Sequence, residues 1–138
     1  MSFLIQMWFL MSCLIECLLV NRPFNCLHLV EQSVIKGYLC ATTITTIHYL
    51  ATKVLEKNHA QNQIKNLVKL FEIASVNSPV IENALALQFS DFEDAVLYQA
   101  SCHAGVDAIV TRVLQGFKKS QLPVYSPDEM LKILEAIG

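Results

Sequence analysis

Ser90-Asp-Phe-Glu-Asp-Ala-Val-Leu-Tyr-Gln-Ala-Ser-Cys-His-Ala-Gly105-Val-Asp-Ala-Ile-Val-Thr-Arg-Val-Leu-Gln-Gly-Phe117 is the stretch whose reading decides the fold. It reads as a helix, a glycine stop and a buried strand. Ser90 and Glu93 have the spacing of a capping box, a hydroxyl and a carboxylate that satisfy each other's backbone N–H groups. Phe92, Val96, Ala100 and His103 recur at helical spacing and share a face. Gly105 stands where a helix ends in a left-handed residue. Ala108, Ile109 and Val110 form a short apolar run, the mark of a strand covered on both faces. Asp91 and Asp94 enter in the first turn, three apart and so on one side of the helix. Two neighbouring carboxylates repel, and a divalent cation relieves the repulsion. This pair is the metal-like constellation of the chain.

The same alternation extends in both directions. Downstream, Pro123 to Tyr125 reads as a short edge strand, where a proline is tolerated. Ser126-Pro127-Asp128-Glu129 is a second capping box and opens a last helix with Met130, Leu131, Leu134 and Ile137 apolar. Upstream, Ser78-Pro79 reads as an N-cap followed by proline at the first helical position, with the helix running to about Leu87. Phe71 to Val76 reads as a strand, Ala60 to Leu70 and Thr43 to Lys57 as helices, and Tyr38 to Thr42 as a strand. Glu31 to Ile35 reads as the end of a helix that Gly37 stops. Phe3-Leu4-Ile5 reads as a core strand followed by an apolar helix. Strands that alternate with helices specify an α/β fold, a parallel sheet covered by helices on both faces. Ligands of such folds gather at the carboxyl ends of the strands, where Asp91, Asp94, Thr111 and Arg112 are expected to meet.

The totals narrow the classes. A chain of 138 residues is expected to form a single domain, 1–138, with a proper core. Its net charge of −2 gives no bulk attraction for nucleic acid. Five cysteines without a zinc-like spacing read as reduced thiols, and the expected location is cytoplasmic. Met1 to Val20 is apolar, but it lacks a positive start and Gln6 and Glu16 interrupt it, so no membrane span is expected.

From Gly37 onward the chain resembles a PIN domain, the small metal-dependent ribonuclease fold of many toxin–antitoxin pairs. The matching segments are Gly37 to Leu50, Asp91-Phe-Glu-Asp-Ala95, Asp107-Ala-Ile-Val-Thr-Arg112 and Pro123 to Glu129. The resemblance implies an α/β/α sandwich with acidic residues at the carboxyl edge of a parallel sheet. It implies Mg²⁺ or Mn²⁺ as cofactor and RNA phosphodiester cleavage as the reaction, since hard cations prefer carboxylate oxygen and lower the pKa of bound water. Asp94 matches a metal aspartate of the family, and Asp91 an acidic position of this branch. Thr111 and Arg112 match the strand end that faces substrate. Implied partners are RNA, an antitoxin from a neighbouring gene and a second copy of the chain.

The departures are as informative. The family's first strand ends in Asp-Thr-Asn, but here Phe3-Leu4-Ile5 is followed by Gln6-Met7-Trp8. Thr46 stands where many relatives have glutamate. Val113 and Gly116 stand where the family shows Asn or Asp and then Asp. The divergent N-terminal segment, residues 6–28, has a reading in another frame. Gln6-Met7-Trp8-Phe9 must be encoded CAR-ATG-TGG-TTY, which from the third base gives Asn or Asp, then Val, then Val. The following codons permit Leu-Asp-Val-Leu-Leu-Asp-Arg, as in the family. The gene's nucleotide sequence decides between a shifted frame and divergence.

Each candidate also has a plainer reading. Asp94 and Asp91 are first-turn carboxylates that the helix dipole favours in any case. Arg112 reads either as a phosphate contact or as a partner of those aspartates. His48 and His103 read as satisfied structural histidines, and Lys118-Lys119 as a solvated pair. Because few carboxylates remain, the expected function is that of a PIN-domain ribonuclease relative with impaired cleavage. The alternative is a non-catalytic module that binds an antitoxin or RNA.

Overall fold

The computed structural model describes residues 5–9, 30, 32 and 34–137. Five strands, β1 (Ile5–Phe9), β2 (Ile35–Cys40), β3 (Glu72–Ala74), β4 (Ala108–Val110) and β5 (Val124–Tyr125), pair in the order β3-β2-β1-β4-β5. All four pairings are parallel. Helices α1 (Ala41–Val54) and α2 (Lys57–Leu70) join β2 to β3, and α3 (Ser78–Ala86) and α4 (Phe92–Ala104) join β3 to β4. A 3₁₀ turn (Leu114–Phe117) follows β4, and α5 (Pro127–Ile137) follows β5. The expected α/β fold is what the chain adopts.

The period of two along each strand sorts side chains into two cores. Met7, Phe9, Ile35, Leu39, Ala108 and Val110 face one layer, where they meet Ile47 of α1, Leu67 of α2 and Met130 of α5. Trp8, Cys40 and Ile109 face the other, with Val80 and Ala84 of α3 and Ala95 to Tyr98 of α4. The central strands are buried on both faces, which is why they read as continuous apolar runs rather than alternating ones.

Several expected boundaries move. Among the described residues the first strand is Ile5–Phe9, so Gln6-Met7-Trp8 lie within it and do not follow it; Phe3 and Leu4 lie outside the described residues. Its register, Met7 beside Gly37 and Ala108, Phe9 beside Val110, continues the strand through the apolar Met-Trp-Phe run. The helix expected after this strand lies outside the described residues. Ile35 begins β2 and does not end a helix, and Thr42 belongs to α1. There the threonine hydroxyls of Thr45 and Thr46 bond back to the Thr42 carbonyl at 2.8 and 3.1 Å, which reconciles β-branched residues with a helical turn. Asn77 caps α3 through its Oδ1, which accepts from the Val80 N–H at 3.3 Å, so Ser78 is the first helical residue and not the cap.

Gly37 is no helix stop. It sits in the middle of β2, and a Cβ there would lie 2.5 Å from the Phe71 ring and 3.1 Å from Val30. The glycine lets that ring approach the sheet, where it meets Phe9 edge-on with centroids 5.6 Å apart. Gly37→Ala is expected to destabilise the protein by about 1–3 kcal/mol through overpacking. A shift in the urea midpoint at unchanged slope measures it.

Candidate functional site

In a sheet ordered 3-2-1-4-5 the crossovers reverse between β1 and β4, and the crevice outside those two carboxyl ends is the place for a ligand. The start of α4 and the turn after β4 both reach this end.

The start of α4 is built by Asp91. Its Oδ1 accepts from the Glu93 N–H at 2.8 Å and the Asp94 N–H at 3.3 Å, so Asp91 is the N-cap. The Ser90–Glu93 capping box is therefore displaced by one residue, because a carboxylate caps as well as a hydroxyl and Asp91 is in place to do it. Gly105 closes the helix as expected, in the left-handed conformation at φ 76°. The expected apolar face needs correction. Phe92 and His103 are exposed, and the buried side of α4 is Ala95 to Tyr98, Ala100 and Ser101. His103 lies within 3.2 Å of the Asn83 amide, a satisfied surface histidine. His48 is half-buried and lines a cavity of about 470 Å³ between α1 and α2, with Ile64 and Val68.

Asp94 is half-buried at the same helix end. Burial, then the Asp91 and Glu93 carboxylates, raise its carboxyl above the ordinary value of 3.8. The folded state thus favours the protonated acid. The resulting stability is present below the unfolded value and lost as pH rises through the raised folded one. Asp94→Asn is accordingly expected to match or exceed the wild type in stability at neutral pH. The gain should vanish as pH falls below the ordinary carboxylate range, which thermal melts across pH will show.

On the other side of the crevice, Thr111 follows β4 and is 1% exposed. Its backbone N–H donates to the Tyr125 carbonyl at 2.9 Å, and its hydroxyl accepts from the Val113 N–H at 3.0 Å. The hydroxyl thus shapes the turn that carries the exposed Arg112. The two sides meet at Gly116, where a Cβ would lie 2.6 Å from Asp94 Oδ2. This contact went unseen in the sequence, where Gly116 registers only as the absence of an acid. The spacing of Asp94 from Gly116 carries no local signal for it.

Among the described residues no three of His, Cys, Asp and Glu gather in a metal-binding group. Asp91 Oδ1 is engaged by two backbone donors, and Asp94 Oδ2 faces the turn at Gly116. The described donor set does not fit a tightly held Mg²⁺, which demands near-octahedral oxygen geometry. No helix among the described residues is long and apolar enough to cross a membrane.

Solved structures share this architecture. The FitAcB structure from Neisseria gonorrhoeae superposes with a TM-score of 0.69 at 16% identity, over 88% of this chain and 97% of that one. VapBC2 from Rickettsia felis, bound to a DNA fragment from its promoter, gives 0.66 at 12% identity over 87% and 97%. VapC20 of Mycobacterium tuberculosis, a toxin that cleaves the sarcin-ricin loop, gives 0.56 at 12% identity over 75% and 86%. Identities this low speak for the fold alone. No curated protein matches the sequence significantly. The profile described as "PIN domain" matches residues 11–112, most of the chain, from before β2 through the start of α4 to Arg112 at the end of β4. With that match, on a parallel sheet whose carboxyl edge carries Asp94, the chain belongs to the PIN-domain family.

Proposed function

We propose that this protein is a relative of the metal-dependent PIN endoribonucleases whose RNA cleavage is impaired, and that it works as the toxin-derived member of a toxin–antitoxin pair. The observation that carries the proposal is the contact of Asp94 with Gly116. The position that touches the candidate metal aspartate supplies no carboxylate, and Asp91 is engaged in capping. Phosphodiester hydrolysis by bound metal needs several oxygens converging on one point. In this reading Asp94 and Asp91 are the residual metal side, with weak affinity for Mg²⁺ or Mn²⁺. Arg112 contacts RNA phosphate, and Thr111 holds the turn that presents it. The protein acts as one domain in the cytoplasm.

Cleavage of RNA in Mg²⁺ or Mn²⁺ tests the reading. Slow or absent turnover is expected, and Asp94→Ala should change it little. Robust turnover that disappears in Asp94→Ala would overturn the impairment.

A second reading is a non-catalytic module that holds an antitoxin or RNA without cutting. It is favoured by exposed apolar side chains on both walls of the crevice: Phe92 on α4, Val113 and Leu114 in the turn. A partner segment would cover them. Copurification with the product of the neighbouring gene, at a sharp stoichiometry, supports this reading. Sedimentation of the free chain reports whether it is a homodimer.

A further inference from the structure

Next to the Asp94 crevice lies a second hollow, between the α3–α4 loop and the turn after β4. It has a volume of about 230 Å³ and is lined by Gln88, Phe89, Ser90, Gln115, Gly116, Lys118 and Lys119. This is below the roughly 300–1,000 Å³ of pockets that hold whole drug-sized ligands. A single planar group suits it better.

Its chemistry is specific. Phe89 is half-buried, and its ring is fixed against Tyr98 at 5.2 Å and edge-on to Phe117 at 6.3 Å. An immobilised aromatic ring that lines a hollow can serve as a stacking platform, and every nucleobase has a π-face to place on it. Gln88 and Gln115 are exposed, and their amides offer donors and acceptors for a base edge. The Lys119 ammonium donates to the Gln88 carbonyl and ties the two lips together. Lys118 is exposed at the rim, and among the described residues no carboxylate lines the hollow. Gly116 belongs to both sites, since it lines the hollow and its missing Cβ points at Asp94 Oδ2.

We propose that this hollow is a nucleotide subsite for single-stranded RNA: one base lies on Phe89 between Gln88 and Gln115, and the adjoining phosphate meets Lys118. The strand then passes over Gly116 toward Asp94. The inference rests on the RNA reading above and assigns to it a place where a nucleotide is held beside the crevice.

Fluorescence anisotropy with a short labelled single-stranded RNA, in EDTA so that nothing is cleaved, tests it. Lys118→Glu is compared with Lys57→Glu, an equal change of charge on an exposed residue at the start of α2, in the opposite helix layer. The expected result is a loss of affinity of about tenfold for Lys118→Glu and a salt slope reduced by about 1. Lys57→Glu should shift affinity far less. Gln115→Ala, which leaves charge untouched, should weaken binding several-fold. If the wild type binds RNA but Lys118→Glu merely equals Lys57→Glu, the subsite is wrong while the RNA reading stands. If the wild type binds no RNA, both fall. Tighter binding of duplex DNA through Lys118 would also overturn the assignment.

Discussion

Trp8→Ala is expected to lose about 3–5 kcal/mol of stability, enough to unfold a marginal domain at body temperature. Trp8 is 0% exposed in the middle of β1 and packs against Cys40, Val80, Ala84 and Ile109 between the sheet and α3–α4. Deleting the indole removes the largest side chain of that core and leaves a hole that Ala84 and Ala95, already small, cannot fill. A second feature makes the test sharper. Among the described residues, Trp8 Nε1 is buried without a hydrogen-bond partner. Such a donor costs roughly 1–3 kcal/mol. Trp8→Phe keeps a ring and removes the orphan N–H, so its loss should be less than half that of Trp8→Ala. Denaturation followed by circular dichroism reads both variants, since either one removes the sole tryptophan. The family match begins at residue 11, beyond β1. A loss below about 1 kcal/mol for Trp8→Ala would mean that β1 does not occupy the centre of the sheet.

That strand also shows where sequence reading stops. The α/β class, the glycine stop at Gly105, the strand Ala108–Val110 and the capping box of α5 were legible because each has a local cause. The last is confirmed by Ser126 and Glu129, which exchange backbone bonds at 3.1 and 3.2 Å. Each signal needs a few adjacent residues and no distant partner. The ends of β1 were not legible, because a buried parallel strand is apolar throughout and nothing in Gln6-Met7-Trp8-Phe9 says where pairing ends. Gly37 was misread for a related reason: a glycine that stops a helix and one that admits a ring from another element look alike in one dimension. At α4, serine and aspartate are adjacent cap formers, and tertiary placement chose Asp91. Of the candidate site, the Asp91–Asp94 pair was visible as helical spacing. Its apposition to the turn after β4 was not, since the two are brought together by the crossover and not by sequence.

Gly116→Asp is expected to create a cation-dependent protein. The substituent's first carbon would fall 2.6 Å from Asp94 Oδ2, a distance that the Asp94 side chain, which ends in that oxygen, must relieve by rotating aside. The two carboxylates then stand side by side at a position where burial and two other acids already disfavour charge on Asp94. In EDTA at neutral pH the variant should therefore melt below the wild type, and the deficit should shrink as pH falls and the pair takes up a proton. A divalent ion replaces that proton, so Mn²⁺ should restore the melting temperature. At a concentration of about 100 times the dissociation constant the stabilisation is roughly 2.7 kcal/mol. Gly116→Asn has the same shape without the charge and should show the steric part of the loss but no response to Mn²⁺. Asp94→Asn in the Gly116→Asp background should remove the response, because a single carboxylate holds such ions weakly. A Gly116→Asp protein indifferent to Mn²⁺, while its folding is otherwise normal, would show that this end of the sheet is not laid out to gather oxygens around a cation. The proposed descent of the crevice from a metal site would then lose its structural basis.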